Sequence, residues 1–231
     1  MVIGMKKNKN ILLCIGVILT LFLMSGCGAN DVAGSELVEK ARKEYVKLDS
    51  AKVVMTNTET NEVEQTFVFK YDEKDVLTFA YQGKYMEESY AQYNNGYESY
   101  TLENGKYEFS QRGDKNFQSY DRDSTHPQAN EGLIIFSANS IKDSSVKEEN
   151  GVICVEHSYD PEKIGATSDE GNVTGFFAKF YFDKEEKLLY FTEETVIDSD
   201  GKEIKHSYKV EITEQNKVKD IENPVEIPKN S

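Results

Sequence analysis

From Ser50 onward the apolar residues recur at every second position, a period that favours strands over helices across most of the chain. Phe67, Phe69 and Tyr71 alternate with Thr66, Val68 and Lys70, and Leu77, Phe79 and Tyr81 form the next apolar set. Asn95-Gly96, Asn104-Gly105, Asn150-Gly151 and Asp200-Gly201 cut this alternation. Such pairs predict hairpins, because both central positions of a type I′ turn need positive φ. They divide Tyr85–Asn94, Tyr97–Glu103 and Lys106–Gln111 into three strands, and later separate Val146–Glu149 from Val152–Tyr159. Phe176, Ala178, Phe180 and Phe182 face one way along the next strand, and Lys187–Ile197 returns from a turn at Asp183–Glu186. In the last strand Ile204, His206, Tyr208, Val210 and Ile212 alternate with Glu203, Lys205, Ser207, Lys209 and Glu211. The layout is five or six strands, an insert over about 121–139, then about five more strands. The insert is a polar, proline-containing run leading into Leu133-Ile134-Ile135-Phe136, read as a loop and a short helix.

Two segments precede the strands. Ser35–Asp49 predicts a helix capped by Ser35, with Glu36 and Glu39 early, basic residues late, and Leu37, Ala41, Tyr45 and Leu48 on one buried stripe. Before it, Lys6, Lys7 and Lys9 lead into the apolar stretch Ile11–Met24. That stretch makes about 21 Å of helix, short against a hydrocarbon core of about 30 Å, and fits the apolar region of a secretory leader. It ends in Met24-Ser25-Gly26-Cys27, which resembles the bacterial lipobox. That resemblance implies cleavage before Cys27, a diacylglyceryl group on its thiol and acyl chains such as palmitate at its amine. Two chains on one residue hold a protein stably to a membrane, where a single chain does so only marginally. The expected organisation is a signal peptide over 1–26, a lipidated tether over 27–34, and one domain over 35–231. The location implied is the extracytoplasmic face of the cell membrane.

Removing the three leader lysines leaves 24 of the 27 basic residues against 41 acidic ones, a net charge of −17. Such a surface repels nucleic acid and anionic headgroups, so nucleic acid is excluded as a partner. Cys14 lies in the leader and Cys27 takes lipid, which leaves Cys154 as the only thiol and no internal disulfide.

With one helix, an insert and about eleven strands in this order, the chain resembles the LolA-like carriers and the related lipid-binding lipoproteins. Its local cues are Asn95-Gly96-Tyr97-Glu98-Ser99-Tyr100 and Asn104-Gly105-Lys106-Tyr107-Glu108-Phe109. The resemblance implies an α+β domain: a strongly curved antiparallel sheet, an incomplete β-barrel, with an N-terminal helix and a short helical insert over its concave face. On such a sheet strand parity gathers Phe67, Phe69, Phe79, Tyr81, Phe180, Phe182 and Tyr208 as candidates for lining a ligand cavity.

Catalytic patterns are not found. Glu87-Glu88, Glu148-Glu149, Glu185-Glu186 and Glu193-Glu194 are neighbours, and neighbours on a strand point to opposite faces, so they read as solvated edges and turns. His157 and His206 occupy apolar-set positions without the third and fourth ligands a metal needs. Cys154 and His157 are three apart on one strand and cannot form a dyad. Asp198-Ser199-Asp200-Gly201 lacks the later ligands of a calcium loop. The expectation is therefore a protein that is not an enzyme, uses no metal or cofactor, and binds a lipid or acyl chain non-covalently. The alternative is a cell-envelope interaction or regulatory module whose concave side is filled by its own side chains.

Overall fold

A computed structural model describes residues 32–85, 88–130, 134 and 137–225. Cys27 and the leader lie outside the described residues, and so does most of the helix expected over Leu133–Phe136. The described chain is one helix, α1 (Ser35–Val46), followed by eleven strands. These are β1 (Ser50–Asn57), β2 (Val63–Tyr71), β3 (Leu77–Tyr85), β4 (Glu88–Asn94), β5 (Glu98–Glu103), β6 (Lys106–Gln111), β7 (Ile141–Glu149), β8 (Val152–Tyr159), β9 (Asn172–Phe182), β10 (Leu188–Ser199) and β11 (Lys202–Thr213). Single 3-10 turns occur at Pro127–Ala129 and Ala138–Ser140.

All eleven strands join one antiparallel sheet in the order β6-β5-β4-β3-β2-β1-β11-β10-β9-β8-β7. The first and last strands meet in the middle, with Val53 opposite Ile212 and Met55 opposite Val210. Asn216, just past β11, accepts the N–H of Asp49 at 2.7 Å and so ties that seam. The sheet is curved and does not close, which is the expected α+β half-barrel. Its free edges are β6 and β7, the two strands that flank the insert. The connection between them therefore leads from one rim of the half-barrel to the other. It is anchored on the inner face by Tyr120, His126, Ala129 and Ile134.

Three of the four turn pairs adopt the expected geometry, with φ of 49° and 72° at Asn104-Gly105, 54° and 76° at Asn150-Gly151, and 54° and 81° at Asp200-Gly201. The fourth differs. Of Asn95-Gly96 only Gly96 has positive φ, and Asn95 Oδ1 accepts the N–H groups of both Tyr97 and Glu98. The side chain replaces a turn bond, Tyr97 joins the loop, and β5 starts at Glu98.

The helix also departs from expectation at its start. Gly34, not Ser35, is the cap, at φ 73°, and no side chain caps the helix. A Cβ on Gly34 would lie 2.6 Å from both Val155 methyls, so the close approach to β8 selects glycine there. The end of the expected tether is accordingly docked. Ala33 N–H donates to Ser144 Oγ at 3.1 Å, and the Ala33 carbonyl lies 3.2 Å from His157 Nε2. The buried face of α1 is Val38, Ala41, Arg42 and Tyr45, with Leu37 and Leu48 half-buried against the core.

Candidate functional site: the concave face

The register places all seven candidate aromatics on the concave face. Phe67 sits opposite Tyr81 and Phe69 opposite Phe79 across β2 and β3, and Phe67 pairs with Val53 of β1. On the other side Phe180 lies opposite Val155 and Phe191, and Phe182 opposite Ile153 and Leu188. Tyr208 of β11 pairs with Asn57 and Glu193.

They fall into two aromatic groups. Phe67 stacks on Phe69 with ring centroids 5.7 Å apart and tilts against Phe79 at 5.7 Å, while Tyr45 of α1 meets Phe69 edge-on at 6.0 Å. Across β1 and β11, Phe180 stacks on Phe191 at 5.7 Å and receives the edge of His157 at 5.9 Å. Phe67, Phe69, Phe79, Phe180 and Phe182 are all buried in one core with Val38, Ala41, Tyr45, Ile134 and Ile164. Tyr81 is half-buried at the border of this core, and Tyr208 is buried outside it.

The roof over the first group is the insert. His126 lies over Phe79 at 4.4 Å, Phe67 at 5.3 Å and Tyr120 at 5.4 Å. Burial there pushes its imidazole down to about 4. The Gln128 carbonyl accepts the Tyr45 hydroxyl at 2.5 Å, and Tyr71 shares a short hydrogen bond with Thr125. These hydroxyls tie the insert to α1 and β2.

The pair Glu193-Glu194 corrects the expectation of solvated edges. Glu194 accepts from Ser207 Oγ at 3.3 Å. Glu193 is on the concave face, level with Ala178 of β9 and Tyr208 of β11. Burial pushes its carboxyl up to about 7, while its own charge helps to raise the Tyr159 hydroxyl of β8. The side chain is half-buried, and no described residue donates a hydrogen bond to it. Alternation hid this residue. A register shift between Leu188 and Tyr190 reverses parity inside β10, so Leu188 and Phe191 share a face despite their odd spacing. Phe191 was missed for the same reason, and His126 because its proline-containing run has no period to read.

The remaining chemistry-bearing residues are engaged structurally. The two ring nitrogens of His157 face Tyr159 Oη and the Ala33 carbonyl, both at 3.2 Å. His206 is hydrogen-bonded to Glu170, on the loop before β9. Cys154 pairs with Tyr181 on the opposite face from His157. Asp198 accepts the Gly201 N–H at 2.7 Å and so serves the hairpin. Among the described residues no group of three or more potential ligands could hold a metal. Toward the β6 edge the concave face turns polar, and a groove of about 390 Å³ there includes Gln92, Asn94, Ser99, Thr101 and Gln118. Among the described residues no helix is long and apolar enough to cross a membrane.

No protein-family model matches the chain, and no curated protein matches it. Among solved structures, LprF from Mycobacterium bovis is similar with a TM-score of 0.43 and 14% sequence identity, over 84% of this chain and 97% of that one. So low a similarity leaves function to be read from the concave face itself.

Proposed function

We propose that this chain is an extracytoplasmic protein, held to the membrane by lipid on Cys27, whose concave face takes up a lipid or acyl chain without covalent chemistry. One observation carries the reading. The aromatic floor of the half-barrel is roofed by a helix and a rim-to-rim connection rather than by a second sheet. The connection is held by Tyr120, His126 and Ile134, by the Val76–Asp121 bridge and by hydrogen bonds at Tyr120, Thr125 and Gln128. None of these belongs to the pairing of the eleven strands, so such a roof can shift while the strand ladder stays intact. Apolar walls with a few polar groups are the usual makeup of a ligand site.

A second reading has its own support. Phe69, Phe79, Phe180 and Phe182 are each 0% exposed, which suits a core filled by its own side chains and an envelope interaction module. Native mass spectrometry of the soluble chain, expressed without its leader and with Cys27→Ser, separates the two. A one-to-one adduct that organic solvent extracts is expected. A bare mass after purification, with no uptake of added lipid, favours the interaction module.

A further inference from the structure

Glu193 is an acid placed where an apolar floor would be expected. In the inner row across β8 to β11 its companions are His157, Ala178 and Tyr208, and along β10 they are Phe191 and Thr195. Ala178 is the small residue in the run Phe176, Ala178, Phe180, Phe182, so the floor steps down beside the carboxyl. Phe191 and Ala178 are buried, but Glu193 and Thr195 keep partial access to solvent, as do Met55, Asn57 and His206 further along the same face. The carboxyl thus stands where the buried core passes into half-buried, more polar residues.

We propose that Glu193 is the head-group anchor of the concave site and that it pairs with the ammonium of a single-chain amphiphile whose tail lies along the aromatic floor. The inference rests on the proposed uptake of an apolar ligand and specifies its chemistry. A desolvated carboxylate without a partner is costly, and a cation brought to it recovers that cost. Burial has already raised this carboxyl to about 7, so an ammonium stabilises the ionised form.

The groups facing it are consistent with a cationic head. Tyr208 of β11 is the cross-strand neighbour of Glu193, and an aromatic ring beside the carboxyl attracts ammonium groups. His157 of β8 is held toward the neutral form by burial. Arg42 of α1 acts on Tyr159, which lies with Phe176 and Thr195 in the next inner row to that of Glu193. There His206 of β11 is already hydrogen-bonded to Glu170.

The test titrates dodecylamine, dodecanol and dodecanoate, each below its micelle concentration, into the full chain with Cys27 intact, purified from membranes and reconstituted in phosphatidylcholine vesicles. The same chain with Glu193→Gln, which is isosteric, is titrated in parallel, and blank vesicles are subtracted. Dodecylamine is expected to bind at least ten-fold more tightly than dodecanol at pH 8. Its affinity should drop about ten-fold from pH 8 to pH 6 as the carboxyl takes up a proton. Glu193→Gln should remove the preference for amine over dodecanol, and Glu193→Asp should restore part of it. Equal binding of amine and alcohol, or an amine preference that survives Glu193→Gln, overturns the inference and leaves the uptake of apolar ligands standing. Failure of all three amphiphiles to bind overturns both.

Discussion

Glu193 and His126 answer to pH in opposite senses, and in both burial is the cause. The carboxyl moves from 4.5 to about 7, so between those values the folded chain keeps a proton that the unfolded chain has lost. Stability from this residue is present at low pH and falls as pH rises through that window. The imidazole moves from 6.5 to about 4, so the unfolded chain holds the extra proton there and stability rises with pH. His157 shifts in the same direction as His126. From about pH 4.5 to 6.5 the carboxyl and the imidazole offset each other. Glu193→Gln removes the carboxyl and leaves the histidines. Urea unfolding should show the variant gaining more stability than the parent from about pH 4.5 to 6.5, and parallel profiles would rule this out. At the same scale, Cys27→Ala should release the protein from membranes. Retention of the variant after a carbonate wash would mean that something other than this lipid anchors the chain. Both half-buried ionisable residues were illegible in the sequence for physical reasons. Glu193 is hidden by a register shift, and His126 is placed by contacts from β2, β3 and the chain before it.

The elements that carry their own signal were legible. β11 shows an unbroken alternation, and β5 and β6 are divided by a turn whose two positive φ values Asn104-Gly105 supply. Elements positioned by others were less so. β7 begins at Ile141 rather than Val146, because its first half, Lys142-Asp143-Ser144-Ser145, is polar. An edge strand has only one strand neighbour, and charged or polar side chains there discourage pairing with another chain. The helix stripe was legible at Ala41 and Tyr45, while Val38, at 0% exposure, replaces Leu37 as its deepest residue. Ala33 and Gly34 dock on β7 and β8 immediately before this first turn. In the proposed uptake of a ligand the insert is the element that must move, and His126 is its wedge. His126→Ala should speed amide exchange in residues 121–130 at least ten-fold while β8 to β11 keep their protection. The cost should be about 2 kcal/mol, the order expected for losing several aromatic contacts. Unchanged exchange in that segment would show that His126 does not hold the roof.

At the scale of the molecule, one topological fact organises the rest. The N- and C-terminal halves of the chain meet at the β1–β11 seam, so the two ends of the sheet are β6 and β7, and the segment joining them must go from rim to rim. The sequence order of five or six strands, an insert and about five more made the half-barrel with its insert legible, but not the pairing of β1 with β11. It did not reveal how completely the floor is filled, because packing depends on side chains converging from strands far apart in the chain. Phe180, fully buried between Val155 and Phe191 in register, is the residue at which this can be decided. In a core that only holds the fold together, Phe180→Ala should cost about 3–5 kcal/mol. On a wall that gives way to a ligand, the cost should be well below that range and the loss should appear in binding. The measurement is urea unfolding together with titration of a fluorescent fatty-acid probe, for the parent and for Phe180→Ala. Uptake of an apolar ligand predicts that the parent binds the probe and that the variant binds it at least ten-fold more weakly with a small loss of stability. A parent that binds no probe, together with a 3–5 kcal/mol loss in the variant, would contradict it.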